Sequence, residues 1–505
     1  MEKRLILTIA MCILVLMLWS AMLPKKAPLQ SGEQLKLSQQ QLSTLPEETK
    51  EQEPPVTLPS GPLTYFSLNK QEIVFIEPYA AIKAITFHDY QAHKFTLETG
   101  FVLSDKSLVF KQIKTSAQEV IFMHKDDKKE IIKQFLFHKD SYAIDLAIKV
   151  HNLSDSQIEI NYPLILGVLN SKNDPDQGRY SDMVVTTGEK TLHFNGRKDM
   201  IIEHPKFVAL RDRYFCNIVE PVSGNYSLRI KKINQLVSEM SLQPNNLAVD
   251  PGKTIEQKFR IYLGPQDLHT IQNANLAWAG VINYGTFDII SQLLLKFLDL
   301  LYGIVRNWGW AIIILSIAIY LILFPLTLKQ MRSMKEMQML QPRIEELKKL
   351  YKDNPQKLQK ETMELYREHK VNPLGGCLPL LLQMPIFFAL YQALIRSVAL
   401  KGAKFLWIKD LSQPDRLFIM PFTIPVLGNQ FNILPILMTG IMFFQQKGSM
   451  ASTSSEQAEQ QKIMLIIFPL MFGLIFYHMP AGLVLYWFVN SVLTVTYQFR
   501  MSRTK

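Results

Sequence analysis

The 505-residue chain holds three cysteines, Cys12, Cys216 and Cys377, too few and too scattered for a disulfide framework or a thiolate metal site. Two of them lie in apolar stretches, where a thiol packs as a small hydrophobe, so no redox role is expected. His88, His93, His124, His138, His151, His193 and His204 follow one another without metal-ligand spacing. Asp174, Asp176 and Asp182 near Gly178 miss the pattern of a calcium loop and read as a solvated turn. There is no Ser/His/Asp grouping at a nucleophile turn, and no pair of carboxylates within one apolar run. Gly375 and Gly376 are too short a feature to cradle a phosphate. Neither an enzyme, a metal nor a cofactor is expected.

Apolar runs are what the chain does have, and they are unevenly placed. The hydrophobic share of 48% and mean hydropathy of +0.05 average two unlike halves. Residues 1–23 open with Lys3 and Arg4 and continue as an apolar stretch from Leu5 to Leu23. This run is longer than a typical signal core and ends without a small-x-small exit, which predicts a retained anchor rather than a cleaved signal. Residues 24–59 are rich in Gln, Glu, Ser, Lys and Pro and read as a flexible linker. Over residues 60–275, short alternating runs such as Ala143 to Val150 and Lys258 to Gly264 are punctuated by turn formers, which predicts a β-sandwich. In residues 276–307, Ile289, Leu293, Phe297 and Leu300 recur at helical spacing and Ser291, Gln292, Lys296 and Asp299 interrupt them. That pattern fits an amphipathic helix in a membrane interface.

Residues 308–500 form the α-helical polytopic core. Trp308 to Leu328 carries no formal charge over about 20 residues, enough to cross a hydrocarbon core of about 30 Å. Further spans are expected at Leu374 to Val398, at about Leu417 to Phe444 or a shorter helix from Leu434, at Ile463 to Tyr477, and at Leu483 to Tyr497. With the anchor they number six, and residues 501–505 are a basic tail. Between the first two core spans, residues 329–370 read as a basic helical hairpin turning at Asp353 to Pro355. Lys3, Arg4, this hairpin, Lys447, Lys462, Arg500, Arg503 and Lys505 fall on one side, which puts both termini in the cytoplasm and the β-domain outside. The net charge of +11 sits where topology asks for it, so DNA is not an expected partner.

Polar groups inside apolar spans are costly unless they face protein or water. Ser316, Tyr320, Gln383, Gln392, Asn490, Ser491 and Thr494 either bond helix to helix or converge on one hydrophilic groove. Pro325, Pro379, Pro385, Pro435 and Pro469 interrupt the helical ladder and leave room for one. In the hairpin, Met331, Met334, Met337 and Met339 offer flexible thioethers suited to an emerging chain or to lipid. The surplus of Lys and Arg there favours anionic headgroups or ribosomal RNA.

The run VNPLGGCLPLLLQMPIFFALYQAL (Val371 to Leu394), with NWGWAIIILS upstream, FPLT at Phe324 to Thr327, MLQPRIEELK at Met339 to Lys348 and PAGLVLYWFVNS at Pro480 to Ser491, resembles the YidC/Oxa/Alb membrane insertase family. The anchor and outer β-domain resemble its Gram-negative YidC type. The resemblance implies a five-helix insertase core behind an anchor helix and a large periplasmic β-supersandwich, in the inner membrane. It implies nascent membrane proteins as substrates, their polar tails entering a groove open to cytoplasm and lipid, and the hairpin accepting them. It also implies action alone or beside the Sec translocon and a ribosome. One position departs from the pattern: where the family's groove usually carries an arginine, five residues before the proline of the PLT motif, this chain has Tyr320. A transporter or channel would call for repeat-related halves or midplane ion ligands, and neither is visible; an envelope adaptor anchored by its spans is the other alternative.

Overall fold

The computed structural model describes residues 61–503, except residues 106, 171–179, 189, 195–197, 235–236, 246, 353, 370, 372–377, 426 and 450–454. The expected anchor and linker, residues 1–59, lie outside the described residues, as do Asp174, Asp176, Gly178, Gly375 and Gly376.

Strand alternation builds the outer domain. In Ala143–Asn152, Ile144, Leu146, Ile148 and Val150 are buried while Asp145, Lys149 and His151 point the other way, the period-2 signature of a pleated strand. This strand lies inside a nine-stranded antiparallel sheet. The order is Lys190–Phe194, Asp182–Thr187, Phe207–Arg211, Phe215–Pro221, Thr254–Pro265, Ala143–Asn152, Lys129–Phe137, Glu119–Lys125, Lys111–Thr115. A five-stranded sheet centred on Val237–Pro244 and a four-stranded meander from Leu63–Ser67 to His93–Gly100 accompany it. Phe75, Phe87, Phe122, Phe135, Phe215, Leu228 and Met240 belong to their common core. The expected β-sandwich is what forms.

The same core holds a lysine. Lys133 is fully buried, and its Nζ donates to the carbonyls of Ala80 at 2.6 Å and Phe101 at 2.5 Å. Both residues are left-handed, at φ 45° and 67°, so the ammonium pins two backbone turns that L-residues rarely adopt. Burial pushes its pKa down to about 7.

Among the described residues eight α-helices follow: α1 (Leu268–Ala274), α2 (Asp288–Val305), α3 (Trp308–Leu350), α4 (Pro355–Glu368), α5 (Leu378–Arg396), α6 (Ile433–Ser449), α7 (Ser455–Phe476) and α8 (Ala481–Arg503). Asn307 caps α3, its side chain accepting from the Trp310 N–H. The helix then runs 43 residues with Pro325 and Pro342 inside it, roughly 65 Å at 1.5 Å per residue. The first span and the first arm of the basic hairpin are thus one helix, with no break at residue 329. After it, Asn354 caps α4 with Pro355 in the first turn, and α4 folds back so that Leu365 and Tyr366 meet Leu340, Ile344 and Val371.

The expected span from Leu417 needs correction. Phe418–Ile424 and Gly428–Phe431 form a β-hairpin, and α6 starts at Ile433, which is the shorter of the two alternatives. Pro421 and Pro425, four residues apart, disfavour a helix here, and Gly428, at φ 76°, supplies the reversal. By length and composition, one helix among the described residues can cross a membrane, Trp308–Met337; Leu465–Phe476 is a shorter apolar helix.

The amphipathic helix forms as α2. On α2, Leu298, Leu301 and Ser291 are buried, and Ser291 donates to the Ala389 carbonyl of α5 at 2.9 Å. Ile289, Leu293, Leu300 and Ile304 are exposed. The helix packs on α3 and α5 by one side and turns its apolar stripe outward.

Candidate functional site

A string of polar side chains from α3, α5 and α8 runs through the otherwise apolar bundle. Tyr486, Asn490 and Thr494 recur every four residues, so they share one face of α8. Gln383 of α5 donates its amide to the Tyr486 hydroxyl, and the Tyr486 carbonyl accepts from Asn490 Nδ2 at 2.9 Å. Thr494 donates to the Asn490 carbonyl at 2.8 Å. Its hydroxyl is also within hydrogen-bonding reach of Tyr320 on α3, whose own Oη donates to the Leu493 carbonyl at 3.5 Å. The five side chains carry no formal charge. Tyr320 is half-buried and tilted against Phe324, which in turn lies edge-on to Tyr497.

The end of the string nearer the β-domain is closed by rings. Phe387, one turn beyond Gln383, lies 5.7 Å from Phe476 and 5.2 Å from Trp487, centroid to centroid, and Phe472 stacks on Trp487. Above these rings the start of α8 is fastened to the loop between α5 and α6: Ala481 N–H donates to the Gln413 carbonyl and Gly482 N–H to that of Leu411.

Not every expected residue joins the string. Ser316 is fully buried, and its hydroxyl donates to the Ile312 carbonyl of its own helix at 2.7 Å. Ser491 is buried on α8. Gln392 lies about 14 Å along α5 from Gln383. A Cβ at Gly285 would come within 3.0 Å of its amide, and its Oε1 is buried without a hydrogen-bond partner. Gln392 therefore belongs to the seam with the outer domain, because its turn of α5 faces the 284–288 linker. Of the hairpin methionines, Met331 is buried, Met337 packs within the hairpin and Met339 is exposed; the side chain of Met334 lies outside the described residues.

Tyr486 was missed by the sequence reading. It stands in the apolar run Leu483 to Val489, and its spacing of four from Asn490 was the available signal. The seam was missed as well. Arg213, on the tight turn after Phe207–Arg211, donates from Nε to the Ile395 carbonyl at 2.7 Å and from Nη2 to that of Ser412 at 2.9 Å. Tyr214 adds a bond to the Ser412 hydroxyl. Lys401 contacts His93, its ammonium over the Tyr214 ring, and burial pushes its pKa down to about 8. Arg396, at the end of α5, lies over the Tyr180 ring. The first half of the loop that joins α5 to α6, from Ile395 to Ser412, is thus held by the β-domain.

Comparison with known proteins gives two family matches. The family described as 60Kd inner membrane protein matches residues 300–505, and the YidC periplasmic domain family matches residues 78–297. The membrane protein insertase YidC of Syntrophobacter fumaroxidans is 36% identical over 387 residues, covering 74% of this chain and 69% of that one. The corresponding protein of Cupriavidus taiwanensis is 33% identical over 397 residues, covering 76% and 68%. A crystal structure of an active YidC insertase with its first transmembrane domain resolved aligns over 90% of this chain and 95% of that one, at 20% identity and a TM-score of 0.42. The assignment rests on the sequence matches. They join a periplasmic domain to an inner-membrane domain within a family of insertases rather than of enzymes, and the chain belongs to that family, the YidC membrane protein insertases.

Proposed function

We propose that the string on α8 is the wet wall of a groove through which the polar tail of a nascent membrane protein passes, while its apolar segment slides out into lipid. The observation that carries this reading is a set of neutral donors and acceptors on three helices, Gln383, Tyr486, Asn490, Thr494 and Tyr320, in which Gln383 bonds the Tyr486 hydroxyl and Tyr320 the Leu493 carbonyl from one helix to another. An unpaired amide or hydroxyl costs about 4–8 kcal/mol in hydrocarbon. A wall able to exchange hydrogen bonds with the passing chain lowers that barrier, and no covalent step is needed. Tyr320 takes the place of the fixed cation expected from the family, so entry depends on hydrogen bonding rather than on attraction to acidic tails.

In this reading the chain is multi-pass with both termini cytoplasmic. The part of α3 beyond the bilayer and α4 form a cytoplasmic landing arm, and Met339 and the exposed Lys335, Lys349 and Lys352 meet substrate, phospholipid or the ribosome. The protein works alone or beside the Sec translocon. A photocrosslinker placed at Tyr320 or at Gln383, in cells holding a ribosome-stalled membrane protein, is expected to capture the nascent chain. The same probe at Ile322, exposed on the outside of α3, should capture lipid. Capture at Ile322 with none at Tyr320 and Gln383 would discard the groove.

A further inference from the structure

The loop between α5 and α6 carries an apolar surface that none of the described residues covers. Leu406, Trp407, Leu417, Phe418, Ile419 and Phe422 are all exposed, Leu406 at 73% and Ile419 at 71%. The surface is held rigidly. The Asp415 carboxylate accepts from the Leu434 N–H at 2.8 Å and from Trp407 Nε1 at 3.2 Å, tying the Leu406–Trp407 turn to the first turn of α6. Arg416 donates to Gln430, and the Tyr477 hydroxyl at the end of α7 donates to the Gln430 carbonyl. Asn432 Nδ2 donates to the Tyr477 carbonyl.

Two strands with few paired residues are marginal in water, and an exposed apolar patch of this size marks a contact surface. Three features choose phospholipid as its occupant. The patch is continuous with exposed Ile436 and Leu437 on α6, the helix that re-enters the bundle. Residues 416–431 contain no acidic side chain, while Arg416, Lys404 and Lys409 stand exposed around its base, as anionic headgroups require. Pro421 and Pro425 lack N–H groups, which trims the unpaired donors that an open strand edge would carry into lipid.

We propose that the 417–431 hairpin, with the Leu406–Trp407 turn, is immersed in the periplasmic leaflet, its backbone at headgroup depth and its Phe and Ile side chains among the acyl chains. The proposal rests on the topology given above. Its test is spin-label accessibility in the full-length protein, reconstituted in phosphatidylethanolamine and phosphatidylglycerol vesicles. Single labels are introduced by Ile419→Cys, Phe422→Cys, Lys253→Cys and Leu321→Cys after replacing the three native cysteines with alanine. Labels at residues 419 and 422 are expected to collide with oxygen several-fold more than with a water-soluble nickel chelate, as at residue 321 on α3, and opposite to residue 253 in the β-domain. If residue 321 reads as lipid and residues 419 and 422 read as water, the hairpin proposal falls and the topology stands. If residue 321 also reads as water, the topology falls with it. Shielding of residues 419 and 422 from both reagents would mean a protein cover, a second copy included, and would equally overturn the proposal.

Discussion

The β-domain and the helical bundle treat buried polarity in opposite ways. The sandwich buries full charges and answers each one. Arg211 meets Asp182 through two bonds of 2.6 Å and gives a third to the Val281 carbonyl. Burial raises the Asp182 pKa, but Arg211 and His193 outweigh it and hold the carboxyl well below the usual carboxylate range. The bundle string carries only neutral groups, and its apolar side chains point outward as readily as inward: Leu321, Ile322, Ile466 and Leu470 are all exposed. Water surrounds the first region, so apolar burial drives it and alternation follows. For the second, lipid is as apolar as leucine, so association rests on packing and hydrogen bonds. A charge answered only by its neighbour is therefore a point of fragility in the sandwich, and a hydroxyl in the bundle is available for work.

Removing one partner of the buried pair should break the comparison most forcibly. Asp182→Ala leaves the Arg211 guanidinium buried and uncompensated, and a loss of about 3–5 kcal/mol is expected, read by denaturant unfolding of the β-domain signal in the reconstituted protein. A loss under about 1 kcal/mol would mean that the pair is not closed to water. Next in size is the response to pH. The Lys133 pKa is about 7 in the folded chain against an ordinary 10.5. Between those values the unfolded chain binds a proton that the folded one lacks, so stability rises with pH; below about pH 7 both forms are protonated and the slope vanishes. A gain of roughly 2 kcal/mol is expected from pH 7 to pH 9. The neutral amine keeps two N–H donors for the Ala80 and Phe101 carbonyls. Lys133→Met should flatten this rise, and a slope that survives the substitution would assign it to other groups.

How far these features could be read in advance depends on the distance over which they act. Alternation in Ala143–Asn152 and the uncharged run of α3 are local, so the sandwich and the first span were legible. Hydropathy follows the solvent rather than the backbone: α3 runs on through the inversion of composition at residue 329, and the apolar run 417–431, read either as part of a span or as the lead-in to a shorter helix, forms a hairpin. Lys133 binds carbonyls 53 and 32 residues away, and Arg213 reaches carbonyls 182 and 199 residues away. No local pattern announces such partners. Within the expected groove, Gln383, Asn490, Thr494 and Tyr320 could be picked out because each is a polar group in an apolar run. Tyr486 was passed over because a tyrosine among Leu, Trp and Phe looks like one more ring, and only its spacing of four from Asn490 marked it.

In the bundle the balance between stability and activity should reverse. Tyr486→Phe removes one hydroxyl from the string, and bonds of this kind in membranes average about 0.6 kcal/mol. Unfolding in detergent should therefore move little, while insertion of a small membrane protein in depleted cells falls several-fold. Unchanged insertion would show that the string is structural. The smallest effect belongs to Ser316→Ala. The Ser316 hydroxyl returns to the carbonyl one turn earlier, a carbonyl whose helical bond does not depend on it, and such back-bonding supports a helix little or not at all. The change should cost under about 0.5 kcal/mol and leave insertion intact. If insertion fell with Ser316→Ala as far as with Tyr486→Phe, the hydroxyl would have to turn from Ile312 toward the substrate during passage. The wet wall would then extend a turn further along α3, past Tyr320 and toward the β-domain.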